Sequence, residues 1–393
     1  MKKTAKLLSL IMAFAMTAVS LSGCAGGSAE WKVDSETGLT EFLIGGIGPL
    51  TGDYANYGTS VKTGAEIAVE EINAAGGVNG FKFVLDFQDS QGDPDSAVSA
   101  YGKLIDSGMR VSLGTVLSGE CASVVTAAKN DDMLILSPSA SAKEAITGND
   151  KAFRVCFNDP AQGVVSADYI AEHNLGKKIA VFYASDIDYS AGLYNSFKDE
   201  AAKKGLEIVS VQTFTDSTKT DFSTQINDIK SSGAEIVFLP IYAAEAATFL
   251  TQAKGKLTDV TYFGCDGLDG ILTKVSDSSL AEGVMMLTPF FADSPEENVQ
   301  SFVKAYKDKS DGKTPDQFAA DGYDAIYAIA EALKKAEVTS ENTDDYTSKL
   351  VSAMTEITVD GVTGSMTWTA DGEPVKEPKV VLIKNGVATQ FGE

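Results

Sequence analysis

Short apolar runs alternate with amphipathic stretches along most of the chain. Runs of β-type residues, several apolar throughout as expected for strands covered on both faces, occur at residues 42–47, 81–87, 111–113, 133–136, 179–183, 207–211, 236–239 and 284–287. Stretches with apolar residues at helical spacing lie between or after them, at residues 60–74, 97–107, 162–172, 191–203, 222–231, 243–253 and 318–335. This alternation predicts an α/β fold of mostly parallel sheets flanked by helices.

The strand–helix units form two consecutive sets, followed by a mostly helical segment and then by short β-type runs at 363–369 and 379–383. We expect these late runs to return to the second set. That gives two discontinuous lobes: lobe 1 from residues 41–158 plus 290–362, and lobe 2 from residues 159–289 plus 363–393. Several chain crossings would hinge the lobes, and a small ligand would bind in the cleft between them, at the carboxyl ends of their strands.

The N-terminal segment predicts export. Three lysines precede an apolar stretch, residues 7–20, that is too short for a stable membrane span. The stretch ends at Leu21-Ser22-Gly23-Cys24, which resembles the lipobox of bacterial lipoproteins, where the cysteine becomes the lipidated first residue. We therefore predict a signal peptide at 1–23, lipidation of Cys24, a flexible tether at 24–40 and an extracytoplasmic, membrane-anchored protein. The alternative is an ordinary signal peptide followed by a chance cysteine.

The composition removes several classes of function. The 393 residues carry 32 Lys and Arg against 55 Asp and Glu, a net charge of −23. That balance argues against nucleic-acid binding and against electrostatic adsorption to anionic lipid, both of which need a basic surface. The single histidine, His173, excludes multi-His metal sites and is the only histidine available for Ser-His-Asp chemistry. We expect no metal, no cofactor and no enzymatic activity.

The cysteines after position 24 do not form a complete disulfide framework. There are three, an odd number that cannot all pair within the chain: Cys121, Cys156 and Cys265. We expect them to be small buried thiols that act as apolar filler.

A series of motifs follows in order along residues 41–385, beginning with the glycine-rich opening at residues 44–58. The later ones are Gly64-Ala65-Glu66, Ile72-Asn73-Ala74-Ala75-Gly76-Gly77, Leu136-Ser137-Pro138-Ser139-Ala140-Ser141, Asp186-Ile187-Asp188-Tyr189-Ser190-Ala191-Gly192, Asp221-Phe222-Ser223, Gly264-Cys265-Asp266-Gly267 and Gly322-Tyr323-Asp324-Ala325. Together they resemble the branched-chain amino-acid binding proteins, which are type I periplasmic-binding-fold receptors of ABC importers. The resemblance implies capture of an amino acid, branched-chain or otherwise hydrophobic, between hinged lobes. It also implies delivery to the permease and ATPase subunits of an importer, and we expect a monomer.

A desolvated amino-acid site must satisfy a carboxylate, an ammonium and a side chain. The cleft motifs contain no arginine, so the carboxylate needs neutral donors such as a helix N-terminus. Ser118, between a strand and a helix, fits that position, although it could be a plain N-cap. The loop Ser139-Ala140-Ser141 follows the next strand and could equally be a serine-rich turn. By resemblance, Ser118 and Ser141 bind the ligand carboxylate, and the Ser139 carbonyl binds the ammonium.

The resemblance supplies the remaining site residues. Asp266 matches the acidic residue that binds the ammonium, where the best-known relatives have Glu; its alternative role is an Asp-Gly turn. Aromatic and apolar walls would come from Tyr57, Tyr189 and Tyr242, with Leu117 and Phe318 as further candidates. We expect hinge closure, in which Asp266, Tyr189 and Tyr242 engage the ligand only when the lobes close.

Glu120 departs from the expected pattern, because an acid near the carboxylate loop would repel the ligand. Two interpretations remain open from the sequence. Either Glu120 points to solvent, or the ligand carries an additional cation.

Other functions remain as alternatives. The glycines of Gly45-Gly46-Ile47-Gly48 could suggest a nicotinamide-dependent enzyme, but Pro49 interrupts the run and the glycine spacing is wrong. A serine hydrolase would need a Gly-x-Ser-x-Gly nucleophile elbow, which the sequence lacks. The strongest alternative keeps the fold and changes the output: a ligand-sensing receptor for an amide or a small carboxylate.

Overall fold

The computed structural model describes residues 30–376 and 378–391. The predicted signal peptide, residues 1–23, and the predicted lipidation site Cys24 lie outside the described residues, as does the start of the predicted tether. Among the helices within the described ranges, none is long and apolar enough to cross a membrane.

The first sheet contains five parallel strands in the order β2-β1-β3-β4-β5. They are β1 Thr40–Gly48, β2 Phe81–Asp89, β3 Val111–Leu113, β4 Leu134–Ser137 and β5 Ala152–Arg154. The accompanying helices are α1 Ala55–Ala74, α2 Pro94–Asp106 and α3 Ser118–Ala127. Local chemistry sets the start of α2, where the Asp93 side chain accepts a hydrogen bond from the Ser96 amide at 2.8 Å and Pro94 occupies the first turn.

The second sheet is built mainly from five more parallel strands, in the order β7-β6-β8-β9-β10. Its strands and helices are α4 Asp159–Glu172, β6 Lys178–Ala184, α5 Asp188–Lys204, β7 Glu207–Phe214, α6 Ser223–Ser232, β8 Ile236–Leu239, α7 Ala243–Ala253, β9 Thr261–Gly264 and β10 Met285–Thr288. Strand β8 and the buried part of β6 are apolar throughout, as strands covered on both faces require. The predicted α/β fold with two sheet-bearing lobes is confirmed.

Three helices then return to the first lobe: α8 Glu297–Lys309, α9 Gln317–Lys335 and α10 Tyr346–Met354. Helix α9 lies against α1 at two glycines. A Cβ on Gly64 would collide with the carbonyl of Ala319, and a Cβ on Gly322 would collide with the carbonyl of Val61. The two motif glycines therefore allow a close approach between the helix that follows β1 and the helix that carries Phe318.

The late β-type runs differ from the sequence prediction. Strands β11 Val359–Gly361, β12 Gly364–Trp368 and β13 Pro374–Val375 form a separate three-stranded antiparallel sheet. This sheet belongs with the first lobe, because the indole of Trp368 donates to the Arg154 carbonyl at 2.7 Å and Trp368 packs into the core. Residues 364–375 therefore do not pair with the second-lobe sheet, to which the sequence analysis had returned the chain from residue 363.

The second lobe is completed by two antiparallel strands, β14 Lys379–Lys384 and β15 Val387–Gln390, which extend its sheet beyond β10. The predicted β-type run at 379–383 is thus in the expected sheet. The carboxyl ends of β3 and β4 in one lobe face the loops after β8 and β9 in the other, and the candidate site lies between them.

Candidate ligand-binding site between the lobes

The loops after β3 and β4 form the first-lobe side of the site. Ser118 is the first residue of α3 and is buried, and its hydroxyl oxygen accepts a hydrogen bond from the Ala142 amide at 3.1 Å. A hydroxyl that accepts in this way keeps its O–H as a donor. The first amides of α3 add further donors, because a helix N-terminus leaves N–H groups without intrahelical partners. Ser118 can therefore donate toward an anion in the cleft.

The neighbouring serines fix the shape of the second loop. The Ser137 hydroxyl donates to the Thr115 carbonyl at 2.9 Å, and the Ser139 hydroxyl donates to the Val116 carbonyl at 2.9 Å. The Ala140 amide donates to the Ser137 hydroxyl at 3.0 Å. The Ser139 hydroxyl thus uses its hydrogen inside the fold. The role of the Ser139 carbonyl in binding a cation stays a prediction.

Arg154 holds this loop from behind, a role that the sequence analysis missed. Its guanidinium is fully buried and donates to the carbonyls of Ala140 and Ala142, each at 2.9 Å. A second guanidinium nitrogen pairs with the Glu373 carboxylate at 2.9 Å. Arg154 therefore positions the loop through its two terminal guanidinium nitrogens, whereas its Nε has no hydrogen-bond partner among the described residues. The signal in the sequence was only that this is one of two arginines in the chain.

Asp266 lies in a buried turn after β9. Its Oδ1 accepts from the Tyr189 hydroxyl and from the Gly267 amide, both at 2.8 Å, and its own amide donates to the Gln162 side chain at 3.1 Å. Burial raises the pKa of Asp266 to about 6, although the hydrogen bond from Tyr189 acts in the opposite direction. The structure thus places the predicted acid in a buried position that accepts hydrogen bonds from two donors.

A second carboxylate, Asp159, was not predicted and is linked to Asp266 through Gln162, whose side chain donates to Asp159 Oδ1 at 3.4 Å and accepts from the Asp266 amide at 3.1 Å. It is fully buried in the first turn of α4, next to Asn158, whose side chain accepts from the Ala161 amide at 2.9 Å. Burial raises the pKa of Asp159 well above its usual range, and repulsion from Asp266 adds to the rise. In the sequence, an acid beside a proline after Asn158 indicates only a helix start. No local pattern connects it with Asp266.

Four aromatic side chains line the junction of the lobes. The rings of Tyr189 and Tyr242 stack with centroids 4.7 Å apart and an interplanar angle of 5°. Tyr57 packs against Tyr242 and Phe318, with centroid distances of 5.6 and 4.5 Å. Leu117 belongs to the same apolar cluster as Tyr57 and Phe318. The structure therefore brings the predicted aromatic residues together.

The Tyr57 hydroxyl connects the two lobes directly. It donates to the Gly267 carbonyl and accepts from the Ala243 amide, both at 2.7 Å. Nearby, the Tyr54 hydroxyl donates to the Glu245 carboxylate at 2.9 Å, and Lys219 pairs with Asp53 at 3.0 Å. These contacts join first-lobe loops to second-lobe helices and turns, so the lobes are in a closed arrangement.

Glu120 does not point to solvent, so one of its two interpretations is wrong. The residue is only 1% exposed, and its carboxylate oxygens have no hydrogen-bond partner in the described part of the chain. Burial raises the pKa of Glu120 to about 7, and Asp93 and Asp89 add to the rise. Glu120 therefore faces the loop after β2, where the cost of its charge favours the neutral form.

The cysteines and possible metal-binding clusters are the remaining candidates for chemistry. Cys121, Cys156 and Cys265 are free and buried, which confirms the interpretation of these residues as buried thiols. Burial raises the pKa of all three, so the unreactive thiol form dominates. Within residues 30–376 and 378–391, no cluster of three or more His, Cys, Asp or Glu side chains could hold a metal ion.

Two α/β lobes are joined by hydrogen bonds between them, with serine loops on one side of the junction and acids and tyrosines on the other, which is the arrangement of a two-lobe solute-binding protein. A family model described as periplasmic binding protein matches residues 41–386, and the chain belongs to this family.

Relatives with curated names extend this assignment. The chain is 31% identical over 303 residues to Leu/Ile/Val-binding protein homolog 3 of Brucella melitensis, a match that covers 77% of this chain and 81% of the relative. It is 28% identical over 311 residues to a leucine-, isoleucine-, valine-, threonine- and alanine-binding protein of Pseudomonas aeruginosa, covering 79% of this chain and 81% of that one.

Solved structures share the fold. The branched-chain amino acid transporter substrate binding protein of Streptococcus pneumoniae, solved with isoleucine, has a TM-score of 0.80 and 28% identity, covering 88% of this chain and 97% of that one. A solute binding protein of an ABC transporter from R. palustris, solved with benzoate, has a TM-score of 0.79 and 23% identity, covering 90% and 96%. At 23% identity, the similarity to the R. palustris protein shows only that the fold is shared.

Proposed function

We propose that the protein captures a branched-chain amino acid between its lobes and delivers it to the permease of an ABC importer. The observation that carries the proposal is the opposed chemistry of the cleft. Neutral donors at Ser118 and Ser141 lie on first-lobe loops, and the buried acid Asp266 lies on a second-lobe turn. The two sides are joined where the Asp159 amide donates to the Ser141 carbonyl at 2.9 Å and the Tyr57 hydroxyl donates to the Gly267 carbonyl at 2.7 Å. A zwitterion with an apolar side chain satisfies the donors and the acid at once. The relatives that bind Leu, Ile and Val support the same ligand class.

Each end of the ligand has assigned partners. The carboxylate accepts from the Ser118 and Ser141 hydroxyls and from the N-terminus of α3. The ammonium binds the Ser139 carbonyl and the Asp266 carboxylate. The apolar side chain packs among aromatic and apolar residues, where burial supplies about 25 cal/mol for each Å² removed from water. These walls are Leu117, Tyr57, Tyr242 and Phe318.

Hinge closure couples binding to delivery. The ligand first binds the serine loops of the first lobe, and closing then brings up Tyr189, Tyr242 and Asp266. Ligand contacts that exist only in the closed form give that form the higher affinity, which is what a ligand needs to shift the equilibrium. The permease would then recognise the closed, loaded protein.

The anchor and the assembly state belong to the same proposal. The motif at Leu21-Ser22-Gly23-Cys24 supports lipidation of Cys24, and residues 24–40 would hold a monomeric receptor to the outer face of the membrane. Labelling of cells with a fatty-acid analogue should mark the wild-type protein and leave Cys24→Ala unmarked. An unmarked wild-type protein would show that the segment is an ordinary signal peptide.

A thermal-shift screen tests the ligand class. The protein without its predicted signal peptide, residues 24–393, is melted with each of the twenty amino acids and with simple amides and carboxylates. A ligand at a hundredfold excess over its dissociation constant stabilises the fold by about 2.7 kcal/mol. We expect shifts with Leu, Ile and Val. A response limited to benzoate or to an amide would instead support the sensing or carboxylate-binding alternative.

A further inference from the structure

The N-terminus of α9 is capped by an acid from each lobe. Its first residue, Gln317, follows the N-cap Asp316, whose side chain accepts from the Ala319 amide at 3.0 Å. The Gln317 amide donates across the lobe junction, to Oδ2 of Asp269 in the second lobe, at 2.8 Å. Because a helix N-terminus leaves its first amides without intrahelical partners, a second-lobe side chain completes the cap of a first-lobe helix.

The turn that carries Asp269 lies directly against the other acid. Oδ1 of Asp269 accepts from the Gly270 amide at 2.8 Å, and Gly270 has a left-handed φ of 84°, which favours glycine. A Cβ on Gly270 would lie 3.5 Å from Oδ2 of Asp316. That oxygen also accepts from the Ser60 hydroxyl of α1 at 2.8 Å. The two carboxyl groups therefore meet at the lobe junction, one from each side.

The same helix end carries two residues that bear on the candidate site. The Gln317 side chain donates to the Asp266 carbonyl at 3.0 Å, which is a second hydrogen bond between α9 and the second lobe. Phe318, the next residue, packs against Tyr57 with ring centroids 4.5 Å apart. The cap from Asp269 therefore fixes where Phe318 lies relative to the turn of Asp266.

Closure of the lobes brings two like charges together. Both acids are mostly buried, and burial raises the pKa of Asp269 to about 7, with repulsion from Asp316 as the next cause. Burial also raises the pKa of Asp316 to about 6. When the lobes separate, the turn leaves α9, and the Asp269 carboxyl meets water with an ordinary pKa of about 4. A proton on the pair therefore lowers the free energy of the closed form relative to the open form.

We propose that Asp269 is a positioning residue that couples closure of the lobes to the uptake of a proton. It caps α9 from the opposite lobe, and the closed form is favoured when the pair Asp269 and Asp316 holds a proton. The inference rests on the proposed function, because closure is the step that encloses the ligand. It adds a condition to that function: capture is tighter in a mildly acidic medium, and release becomes easier as the pH rises.

The proton shifts the equilibrium between open and closed forms in one direction. Asp269 has the higher pKa in the closed form, so the closed form binds more protons than the open form between about pH 4 and pH 7. The contribution of this residue to closure is therefore fully present below about pH 4. It is lost as the pH rises through about 7.

Other groups around the pair titrate or carry charge, so the test must isolate Asp269. They come from the turn after β9, from α8 and α9, and from the cavity of about 530 Å³ beside the pair: Asp266, Tyr306, Asp293, Lys307 and Lys313. Their contributions are common to the wild-type protein and to a variant at residue 269. The useful quantity is therefore the difference between the wild-type protein and Asp269→Asn.

Titration calorimetry of residues 24–393 with L-leucine, L-isoleucine and L-valine, at pH 5.5, 7.0 and 8.5, measures this difference. Asn keeps an oxygen for the Gln317 amide and carries no charge, so Asp269→Asn resembles the protonated residue. Between pH 5.5 and pH 8.5 we expect the affinity of the wild-type protein to fall roughly tenfold more than that of Asp269→Asn. Small-angle scattering at subsaturating leucine should show the same difference as an open fraction that rises with pH in the wild-type protein.

Two further variants separate the proton from the cap. Asp269→Ala removes the acceptor of the Gln317 amide as well as the charge, so it should bind leucine more weakly than Asp269→Asn at pH 5.5. Asp316→Asn keeps the cap of α9, because Asn and Asp are equally good N-caps, and removes the like charge. It should reduce the pH dependence of leucine affinity, because repulsion from Asp316 contributes to the raised pKa of Asp269.

Asp228→Asn is the matched control, because Asp228 is an exposed acid on α6 of the second lobe and the change in net charge is the same. It should behave as the wild-type protein. Parallel pH profiles of the wild-type protein and Asp269→Asn, with or without a uniform loss of affinity, would overturn the inference while leaving the proposed function intact. A wild-type protein that binds none of the three amino acids would overturn the proposed function and this inference with it.

Discussion

The two sides of the cleft are built from opposite chemistry. The first-lobe side consists of neutral serines and backbone groups whose hydrogen bonds are largely satisfied within the fold, with Arg154 holding the loop in place. The second-lobe side carries two buried acids, and Oδ2 of Asp159 has no hydrogen-bond partner in the described part of the chain. The first side is therefore held in shape by hydrogen bonds within the protein, whereas on the proposed function the second side would gain a partner for its charge from the ligand. This difference explains why binding would begin on the first lobe and why closure would depend on the ligand.

The largest expected effect comes from removing the support of the first-lobe loop. Arg154→Met would leave two carbonyls and the Glu373 carboxylate without their buried partner. We expect unfolding stability to fall by about 3–5 kcal/mol, the usual result of breaking one side of a buried ion pair. Denaturant unfolding measures the change.

Lys203→Met serves as the control for that substitution, because Lys203 also forms an ion pair, with Glu200, but its side chain is exposed. Exposed pairs contribute about 0–1 kcal/mol. If Arg154→Met were as stable as this control, the preorganised first-lobe side would not depend on Arg154.

The second-lobe side is tested by Asp266→Asn. The change preserves shape and removes the charge, so the ligand ammonium loses its principal counter-charge. We expect leucine affinity to fall by about 2–4 kcal/mol in isothermal titration, within the range found when one partner of a buried charged contact is lost. Unchanged affinity would remove Asp266 from the ammonium site.

The same variant, which should weaken ligand binding, should become more stable to unfolding than the wild-type protein as the pH rises. The pKa of Asp266 is raised to about 6 by burial, so its neutral form is favoured in the folded state, and this contribution to stability is lost as the pH rises from about 4 through 6. Asn carries no charge at any pH. The stability of Asp266→Asn relative to the wild-type protein should therefore increase by about 1.4 kcal/mol between pH 5 and pH 8. A difference that is constant with pH would contradict the assignment.

Substitutions of the two serines of the ligand loop should lower leucine affinity by different and smaller amounts. Ser141→Ala removes a hydroxyl assigned to the ligand, and we expect affinity to fall by about 1.5 kcal/mol, as for a hydrogen bond to a charged group. Ser139→Ala removes a hydroxyl that bonds Val116 inside the fold and leaves the carbonyl in place. Its effect on leucine affinity should be smaller, and the reverse order would exchange their roles.

The smallest expected effect is that of Tyr57→Phe, which tests closure itself. The lost hydroxyl joins Gly267 and Ala243 of the second lobe, and its removal should weaken leucine binding by about 1 kcal/mol. Small-angle scattering should also show a larger open fraction at subsaturating ligand. A variant that closes as readily as the wild-type protein would assign closure to the other inter-lobe contacts.

Much of this site could be predicted from sequence because its parts are local. Ser118, Ser139 and Asp266 each follow an apolar strand, and the ends of neighbouring parallel strands meet at one edge of a sheet. The resemblance then predicted which of these residues would face a ligand. The serine and tyrosine positions required only the pattern and the order of the motifs.

The missed features depend on partners far apart in the chain. Asp159 resembles an ordinary helix start, and only its proximity to Asp266 reveals the pair. Glu120 is buried because of how α3 packs near the loop after β2, which periodicity does not encode. The short run at β12 could pair with either lobe, and the tertiary contact of Trp368 with Arg154 decides the outcome.

The Tyr57 hydroxyl, which bonds to both a carbonyl and an amide of the opposite lobe, also affects how long a ligand stays bound. A ligand enclosed by the closed lobes can leave only after that oxygen releases Gly267 and Ala243. The residence time of the ligand would then be set by the rate at which the lobes separate, a step slowed both by this hydroxyl and by the ligand's contacts with the second lobe. A transporter that pulls the lobes apart could therefore empty the protein quickly, while the same complex in free solution would hold its cargo through many encounters with other molecules.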